Sequence, residues 1–598
     1  MSKGKLLFAV SLIFLAAIFL AEHTGSARQA GNAAGALAGN VKSADGTPME
    51  GVGVSARHRA QTYTTTVYTD KSGNYVFPPL DAGQYRLWAQ AVGFETHWAD
   101  QQLAAARRVQ QNFNLKTARD VGPQLSGSEW MASLPDATPA DRRGKRIFSS
   151  QCTGCHTASF VLQNRFDEKG WGIIIQMMAT PGLAYSSTGN GNQLMLHYKN
   201  DLAAYLARVR GPQELTTLKP HPRPTGEATQ VVITEYDLTR PDMPNYLQVH
   251  NGTDWSEGTP SRFEGRGPHD VVVDRDGMAW IADDTIPERT LAKLDPRTGK
   301  VTEYKLPDLK TGTAVSTHSV MMDERSNTVW ATNGNDGEFI SLDPRTGTFK
   351  RWPRPATVKF RVGGTLTVDL QGNPWAPAGD GAIKLDVATG QYSEYPAPTT
   401  GKGTYGIATD ARSNLWYTQP GGDRVVMVDS KTGDSTEVVV GPKEFPEITP
   451  FDREAYQNFR ANQNVGTPQM KAPRRGGGDV NGNYVWFGEF SANQLLRIDI
   501  RDKSYKEYPL PIPYSNPYAA IVDKNHMVWI NMISTDRVAR FDPNTERFTE
   551  YFLPTRGTEI RQIGIDNRPN VPEVWICYDR PGKIARLQLR TTAPSGTR

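Results

Sequence analysis

The residues with the sharpest chemical spacing in this 598-residue sequence are two cysteines and a histidine. Cys152 and Cys155 stand three positions apart, and His156 follows directly. Two thiols on one turn can each bond one vinyl group of a haem, and the next residue then presents its imidazole to the iron. A zinc site with four thiolates cannot form, because the only other cysteine is the distant Cys577. The spacing therefore predicts one covalently attached haem c and electron transfer.

The second axial ligand of that iron is open between methionine and histidine. A helix over residues 171–178 would place Trp171 and Met178 on one face. We take Met178 as the expected ligand, and a methionine would raise the reduction potential. Packing in the core is the alternative for any methionine in this region. The remaining candidate ligands are Met177, Met195 and His197.

Two helices are expected around this motif. Thr138 and Pro139 form a helix start, with threonine as the N-cap and proline at the first helical position. A second helix is expected over residues 200–210, and Gly144 would let the two helices cross closely. A helix entering C-x-x-C-H and a later helix containing Ala-Tyr-Leu resemble class I cytochrome c. That resemblance implies a small all-α cytochrome c domain, assigned to residues 136–212, and a redox partner protein.

Charge and the N-terminal segment predict where the protein works. The formal net charge is only +4 and the basic residues are interspersed, which argues against a nucleic-acid partner. Lys3 and Lys5 precede an apolar run over residues 6–20, the pattern of a signal peptide, which we assign to residues 1–27. An uncleaved anchor is the alternative. We therefore expect a periplasmic or secreted protein with no membrane span after cleavage.

Residues 35–117 have the alternation and frequent turns of a small β-sandwich. The run T-D-x-x-G-x-Y-x-F over residues 69–77 is followed by L-x-x-G-x-Y over residues 80–85 and by Gly-Phe. This pattern resembles the carboxypeptidase regulatory-like domain. The resemblance implies a non-catalytic unit used for adhesion, spacing or carbohydrate contact.

A tryptophan-containing unit repeats through residues 230–592. Its length is about 40–50 residues, that of a four-stranded propeller blade, and one interval is lengthened by an insertion at residues 443–475. Residues 232–236 should supply the fourth strand that the last blade lacks and so close the ring. The pattern predicts a seven-bladed β-propeller. The recurring tryptophans are Trp280, Trp330, Trp375, Trp416, Trp486, Trp529 and Trp575.

Candidate ligand-binding residues come from aligning the blades on the aspartate that ends each inner strand. The position five residues earlier should lie at the mouth of the channel. This ring is polar, aromatic and basic, so it could bind an anionic or aromatic small molecule, with the insertion above it as a lid or docking arm. Capping of inner strands is the alternative for the two histidines. The ring consists of His269, His318, Gly364, Tyr405, Arg474, Tyr518 and Arg561, and all but the glycine are candidate catalytic residues.

The propeller also resembles a known enzyme family. The recurring tryptophan, the strand I/L-x-x-x-D and the ending T/S-E-Y-x-L-P are similar to those of the virginiamycin B (streptogramin) lyases. That family implies a His and Glu cluster with a divalent cation. No matching Glu and His pair stands late in this propeller.

These expectations describe a multidomain chain: a β-sandwich, a small all-α cytochrome c domain and a seven-bladed β-propeller. Linkers are expected at residues 118–135 and 213–229, and a tail at residues 593–598. The predicted function is that of an exported monohaem cytochrome whose propeller binds a partner or a small molecule. The alternatives are a haem-linked oxidoreductase or lyase-like enzyme with its site on the propeller's top face, and a binding protein whose haem senses redox state.

Overall fold

Strands dominate both ends of the chain, and a group of short helices lies between them. The predicted signal peptide falls outside the described residues. Among the residues described, no helix is long and apolar enough to cross a membrane. The computed structural model describes residues 36–180, 191–212, 217–238, 267–283, 289–579 and 581–590.

The first unit is a β-sandwich, as its turn-rich sequence predicts. One sheet contains β1, β4, β7 and β8, and the other has the order β3-β2-β5-β6. Side chains alternate between the two faces of each strand, so Val41, Val54 and Leu87 meet in the buried layer between the sheets. The strands are β1 (Ala36–Ser43), β2 (Gly53–His58), β3 (Tyr63–Tyr68), β4 (Asn74–Val76), β5 (Gly83–Gln90), β6 (His97–Leu103), β7 (Arg108–Gln110) and β8 (Phe113–Leu115).

Six helices follow the sandwich. The second begins as predicted: the Thr138 side chain caps it by accepting from the backbone N–H of Asp141, and Pro139 is its first residue. A side chain at Gly144 would collide with the Tyr205 ring at 2.3 Å, so the second and sixth helices cross closely there. The helices are α1 (Gly127–Ser133), α2 (Pro139–Cys152), α3 (Ala158–Leu162), α4 (Glu168–Ala179), α5 (Gly191–His197) and α6 (Lys199–Val209).

The structure does not show the small all-α cytochrome c domain that the sequence predicts, because the helical segment shares its core with the propeller. Its apolar residues, among them Phe148 and Trp171, share one hydrophobic cluster with propeller residues such as Phe490 and Ile533. A domain that folds alone has a core of its own. The helices instead complete a core whose other side belongs to the propeller.

The described residues form seven four-stranded antiparallel propeller blades. In the first six blades the strands follow chain order from the inner to the outer strand. The first six blades are continuous in sequence. Their strands are β10 (Asp270–Val273), β11 (Ala279–Ala282), β12 (Leu291–Asp295), β13 (Lys300–Tyr304); β14 (Val320–Asp323), β15 (Thr328–Asn333), β16 (Glu338–Asp343), β17 (Thr348–Trp352); β18 (Thr367–Val368), β19 (Pro374–Pro377), β20 (Gly381–Leu385), β21 (Tyr392–Pro396); β22 (Ile407–Thr409), β23 (Leu415–Gln419), β24 (Arg424–Val428), β25 (Ser435–Val439); β26 (Pro473–Gly478), β27 (Tyr484–Glu489), β28 (Gln494–Asp499), β29 (Tyr505–Pro509); and β30 (Pro517–Val522), β31 (Val528–Met532), β32 (Arg537–Asp542), β33 (Arg547–Phe552).

The seventh blade is closed by a strand from before the first. It contains β34 (Ile560–Asp566), β35 (Glu573–Tyr578), β36 (Lys583–Leu589) and β9 (Val231–Asp237). β9 pairs antiparallel with β36, as the repeat predicts. The other edge of β9 pairs with β3 of the sandwich, so the seventh blade and one sandwich sheet form a single eight-stranded sheet.

The blades share a bond that explains part of the repeat. In four of them the indole N–H of the recurring tryptophan donates to the aspartate that follows the inner strand. Trp280 and Trp416 do so at 2.8 Å, Trp529 at 2.9 Å and Trp375 at 3.0 Å. Each bond pins the second strand of the blade to the end of the first.

The insertion between blades four and five packs against the helical segment, and its role as a lid or docking arm stays a prediction. It contains α7 (Pro450–Asn458). Arg143 of α2 donates to both carboxylate oxygens of Asp452, at 2.9 and 2.8 Å. Gly466 donates its N–H to the carbonyl of Ser150 at 3.0 Å. The insertion therefore fixes the helical segment over the top face of the propeller.

Candidate functional site

One cavity of about 500 Å³ lies at the mouth of the propeller, and all seven ring positions line it. Each stands just before or within an inner strand, so the sevenfold repeat brings residues far apart in sequence to one place. Gly364 leaves room for its neighbour, because a Cβ there would lie 3.0 Å from the imidazole of His318. The structure places the seven ring residues around one cavity. That they bind a ligand or act in catalysis stays a prediction.

Three consecutive blades break their strand register at this ring. The irregularities lie between Pro473 and Gly476, between Pro517 and Ala519, and between Ile560 and Ile563. Bulges of this kind re-aim side chains and are frequent beside functional sites. The first explains how the consecutive residues Arg474 and Arg475 can both be buried towards the channel. Sequence alignment of the repeat finds Arg474 but not Arg475, because nothing in the sequence marks the bulge.

Arg474 is the most unusual of the ring residues. Its side chain is only 1% exposed, and its guanidinium lies 3.6 Å from the centre of the Phe490 ring. Within the described part of the chain, Nε and Nη2 are buried without a hydrogen-bond partner. Burial lowers the pKa of Arg474 to about 10, although nearby Tyr405 and Tyr518 counteract the shift.

The neighbouring arginines are paired. Arg475 bonds the carboxylate of Asp270 at 2.8 and 3.0 Å, one layer below the ring. Arg561 lies 3.4 Å from both Glu559 and Asp579. Burial alone would lower the pKa of Arg561, but these two carboxylates outweigh it and raise the pKa. The mouth is therefore cationic, and within the described ranges the Arg474 guanidinium has no hydrogen bond from Nε or Nη2 to a carboxylate.

Two tyrosines and two histidines complete the polar part of the site. The hydroxyls of Tyr405 and Tyr518 are hydrogen-bonded to each other, and Tyr518 Oη lies 3.3 Å from His269 Nε2. His269 Nδ1 is 2.7 Å from Asp270 Oδ1, and its ring centroid is 3.7 Å from that of His318. These contacts join the two histidines to the tyrosines, so capping of strands does not fully describe them.

The helical segment also lines the cavity, which sequence reasoning missed, and so does the insertion, which the sequence analysis placed above the ring. Gly154 and Cys155 line it from above, with Gln463 and Asn464 beside them. A Cβ at Gly154 would lie 2.1 Å from the carbonyl oxygen of Asn464. The glycine of the C-x-x-C turn thus permits close contact with the insertion. No sequence signal marks this contact, so the place of the C-x-x-C turn at the cavity is visible only in the structure.

The residues of the predicted haem site lie in different surroundings. Cys152, the last residue of α2, packs against the hydrophobic cluster, where burial raises the pKa of its thiol to about 12. Cys155 faces the propeller cavity. His156 lies beside Phe160, with 4.8 Å between ring centroids. Met178 is half-buried on α4 against the same hydrophobic cluster.

The other predicted iron ligands have three different environments. Met177 is 44% exposed, whereas Met195 is buried in the core at 5%. His197 stacks on Phe451 of the insertion, with ring centroids 3.9 Å apart. Packing accounts for Met195, and His197 belongs to the contact between helices and insertion.

Comparisons with known proteins bear on the two β units. Residues 36–116 match the family model of the carboxypeptidase regulatory-like domain. No curated protein matches the chain.

Several solved propellers are similar to the larger unit. The virginiamycin B lyase of Staphylococcus aureus is 18% identical over 60% of this chain and 99% of its own, with a TM-score of 0.44. A streptogramin B lyase is 20% identical over 61% and 100%, with a TM-score of 0.45. The extracellular domain of a hybrid two-component system from B. thetaiotaomicron is 16% identical over 55% and 40%, with a TM-score of 0.38. None of these values carries an inference about activity.

The predicted haem c, and the electron transfer inferred from it, require correction. The C-x-x-C-H spacing is present in the sequence. Across the described ranges, however, no group of three or more His, Cys, Asp or Glu side chains could hold a metal ion. Cys152 packs against the hydrophobic cluster, and Cys155 lines the propeller cavity. These findings contradict the haem assignment, so neither the cofactor, the redox partner nor the haem-linked alternatives is assigned to the chain.

Proposed function

We propose that the mouth of the propeller binds a small organic anion and that Arg474 is its principal contact. The observation that supports this is a buried guanidinium that lines a cavity and lacks an anionic partner within the described residues. Burying an unpaired cation costs several kcal/mol. A protein retains such a group where a ligand supplies the missing charge.

A carboxylate suits this position by geometry. A guanidinium presents parallel N–H groups that a carboxylate accepts in pairs, and such charge-assisted bonds are roughly twice as strong as neutral ones. Arg475 and Arg561 already bond carboxylates of the chain, so they raise the positive potential without needing a ligand. Arg474 and Arg475 both have buried N–H groups without a hydrogen-bond partner, but Arg475 is paired with Asp270 whereas Arg474 forms no ion pair with a described carboxylate.

The walls of the cavity favour a ligand with a planar or aromatic part. Tyr405 and Tyr518 form one side, and Phe490 lies against the guanidinium. A volume of about 500 Å³ falls within the usual size of small-molecule sites. We therefore propose an aromatic or planar carboxylate as the ligand class.

Calorimetric titration with benzoate, and with benzamide as its uncharged counterpart, tests the proposal. We expect benzoate to bind and benzamide to bind much more weakly. Arg474→Gln should lower benzoate affinity by about 10–100-fold, because a hydrogen bond to a charged group contributes about 1.5–3 kcal/mol.

Arg345→Gln is the matched control, because Arg345 is an exposed arginine whose partner is Asp343 on a surface turn. It should bind benzoate as the wild type does. Equal binding of benzoate and benzamide, or full affinity in Arg474→Gln, would contradict anion binding at this site.

For the sandwich we propose a spacing role, with the domain spanning residues 35–117 and the propeller residues 230–592. The support is the continuous sheet through β3 and β9, together with the Arg57–Asp237 ion pair at 2.6 Å across it. We also propose that the protein is exported, on the basis of its N-terminal pattern. Mass spectrometry of the mature chain tests export, because cleavage near residue 27 would remove the apolar run.

A further inference from the structure

A row of four hydrogen-bonded side chains leads from the cavity into the propeller. Tyr405 bonds Tyr518, Tyr518 Oη approaches His269 Nε2 at 3.3 Å, and His269 Nδ1 is 2.7 Å from Asp270. Asp270 is held in turn by Arg475 at 2.8 Å and by the Ser319 hydroxyl. The row thus begins at the proposed ligand and ends in a buried ion pair.

The charges around the outer tyrosine favour its phenolate. Burial would raise the pKa of Tyr405, but Arg475, Arg474, the hydrogen bond shared with Tyr518 and Arg561 together lower it. The same burial raises the pKa of Tyr518. The other ionisable groups at the cavity are His269, His318 and Cys155. Two adjacent phenols whose pKa values are shifted in opposite directions are typical of a general base and the hydrogen-bond donor that supports it.

We propose that the site catalyses a proton transfer, with Tyr405 as the general base acting on a carbon acid whose carboxylate is bound by Arg474. This rests on the anion binding proposed above. The substrate class is a 2-oxo acid, in which the carbon next to the carbonyl carries an acidic proton.

The residues at the site account for every proton and electron pair in this transfer. Tyr405 first gives its proton to Tyr518, and Tyr518 gives its own to His269 Nε2, leaving a phenolate beside an imidazolium that Asp270 stabilises. The phenolate oxygen then takes a proton from carbon, the C–H bond breaks, and its electrons form an enolate. Arg474 and Arg561 lie where they can stabilise that negative charge. Return of a proton from Tyr405 regenerates the acid, so no oxidant or second reactant is needed.

A spectroscopic titration of tyrosine ionisation tests the base without a substrate. Wild-type protein should show one phenolate that forms at lower pH than the others. Tyr405→Phe should remove that ionisation, whereas Tyr505→Phe, which alters an exposed tyrosine, should leave it unchanged. If Tyr405→Phe keeps the early ionisation, the proposal is overturned.

The second experiment follows exchange of the methylene protons of phenylpyruvate in D2O by proton NMR. Wild-type protein should accelerate exchange, and Tyr405→Phe should slow it by about 10²–10⁴-fold, the usual contribution of a general base. Tyr518→Phe, which interrupts the row, should also slow exchange.

Benzoate titration of the same variants separates the two proposals. Tyr405→Phe that binds benzoate but does not accelerate exchange supports both. Wild-type protein that binds benzoate but accelerates no exchange overturns catalysis and leaves anion binding intact. Failure of wild-type protein to bind benzoate overturns both.

Discussion

Buried arginines serve opposite purposes in two regions of this protein. At the junction of the helical segment with the propeller, Arg556 lies 2.5 Å from Glu129 and 3.6 Å from Asp536, and it also donates to the carbonyl of Gln124 at 3.1 and 2.9 Å. At the propeller mouth, Arg474 is as deeply buried but has no such partner among the described residues. Burial alone therefore does not distinguish a structural arginine from a binding one.

Arg556 and Arg474 differ in the groups that pair with their positive charge. Partners within the chain make Arg556 a fixed part of the fold, because removing one of them leaves a buried charge uncompensated. Arg474 has buried Nε and Nη2 donors without a partner among the described residues, and we propose that a ligand pairs with them. The two regions should consequently respond to substitution in opposite directions.

The largest effect is expected for Arg556→Met. It leaves the Glu129 carboxylate buried without its cation, so the free energy of unfolding should fall by about 3–5 kcal/mol. Urea denaturation measures this change. Arg345→Met, which removes an exposed pair, should cost no more than about 1 kcal/mol. Equal losses in both variants would show that the junction pair is not structural.

Acid should weaken the same junction. Burial would raise the pKa of Glu129, but Arg556 and the backbone N–H groups of Ser126 and His221 outweigh it and lower the pKa to about 2. A carboxyl whose folded pKa is depressed stabilises the protein above its unfolded value and loses that contribution as pH falls. A loss of roughly 3 kcal/mol is therefore expected between about pH 4.5 and pH 2.

His221 extends this acid sensitivity to higher pH. Burial lowers the pKa of its imidazole to about 4, so the unfolded chain takes up this proton first as pH falls from 6.5. The unfolding temperature, measured between about pH 7 and pH 2, should fall as His221 titrates below pH 6.5 and again as Glu129 titrates below pH 4.5. His221→Asn should remove the first fall and keep the second, and a flat profile in the wild type would contradict both assignments.

Arg474→Met should change the free energy of unfolding in the opposite direction to Arg556→Met. Removing an unpaired buried cation relieves a desolvation cost, so the unliganded protein should become more stable, by about 1–2 kcal/mol. Thermal unfolding without ligand measures this, and added benzoate should no longer raise the unfolding temperature. A loss of stability as large as that of Arg556→Met would mean that Arg474 has a structural role.

The sequence predicts the repeated parts of the molecule well. Aspartate and tryptophan recur at local spacings, so the seven blades, the closing strand β9 and the ring positions can all be counted from the chain. The ring's aromatic and basic character is already visible in the residue types at Tyr405 and Arg561.

Contacts between distant segments could not be predicted in this way. The pairing of β3 with β9 joins Thr64–Thr65–Thr66 to a strand about 170 positions later, and threonines mark no particular partner. The register shift beside Arg475 has no local sequence signal. The position of Cys155 at the cavity depends on the close contact of Gly154 with Asn464 of the insertion. The C-x-x-C-H motif misled because a short motif does not specify its surroundings.

The smallest predicted effect on stability comes from comparing a buried tryptophan whose indole N–H is hydrogen-bonded with one whose indole N–H is not. Trp416 lies six residues after its aspartate and donates to it, whereas Trp330 lies seven residues after and its Nε1 is buried with no hydrogen-bond partner within the described chain. Replacing either by phenylalanine removes similar packing, since both are buried. Only Trp416→Phe also removes a hydrogen bond to Asp410 Oδ2, which then keeps only its longer bond of 3.2 Å from Asn414 Nδ2. Trp416→Phe should therefore destabilise the protein by about 1 kcal/mol more than Trp330→Phe, measured by urea denaturation of both variants. If the two losses were equal, the unpaired indole would be as well satisfied as the paired one, and the distinction between Arg556 and Arg474 would lose its simplest support.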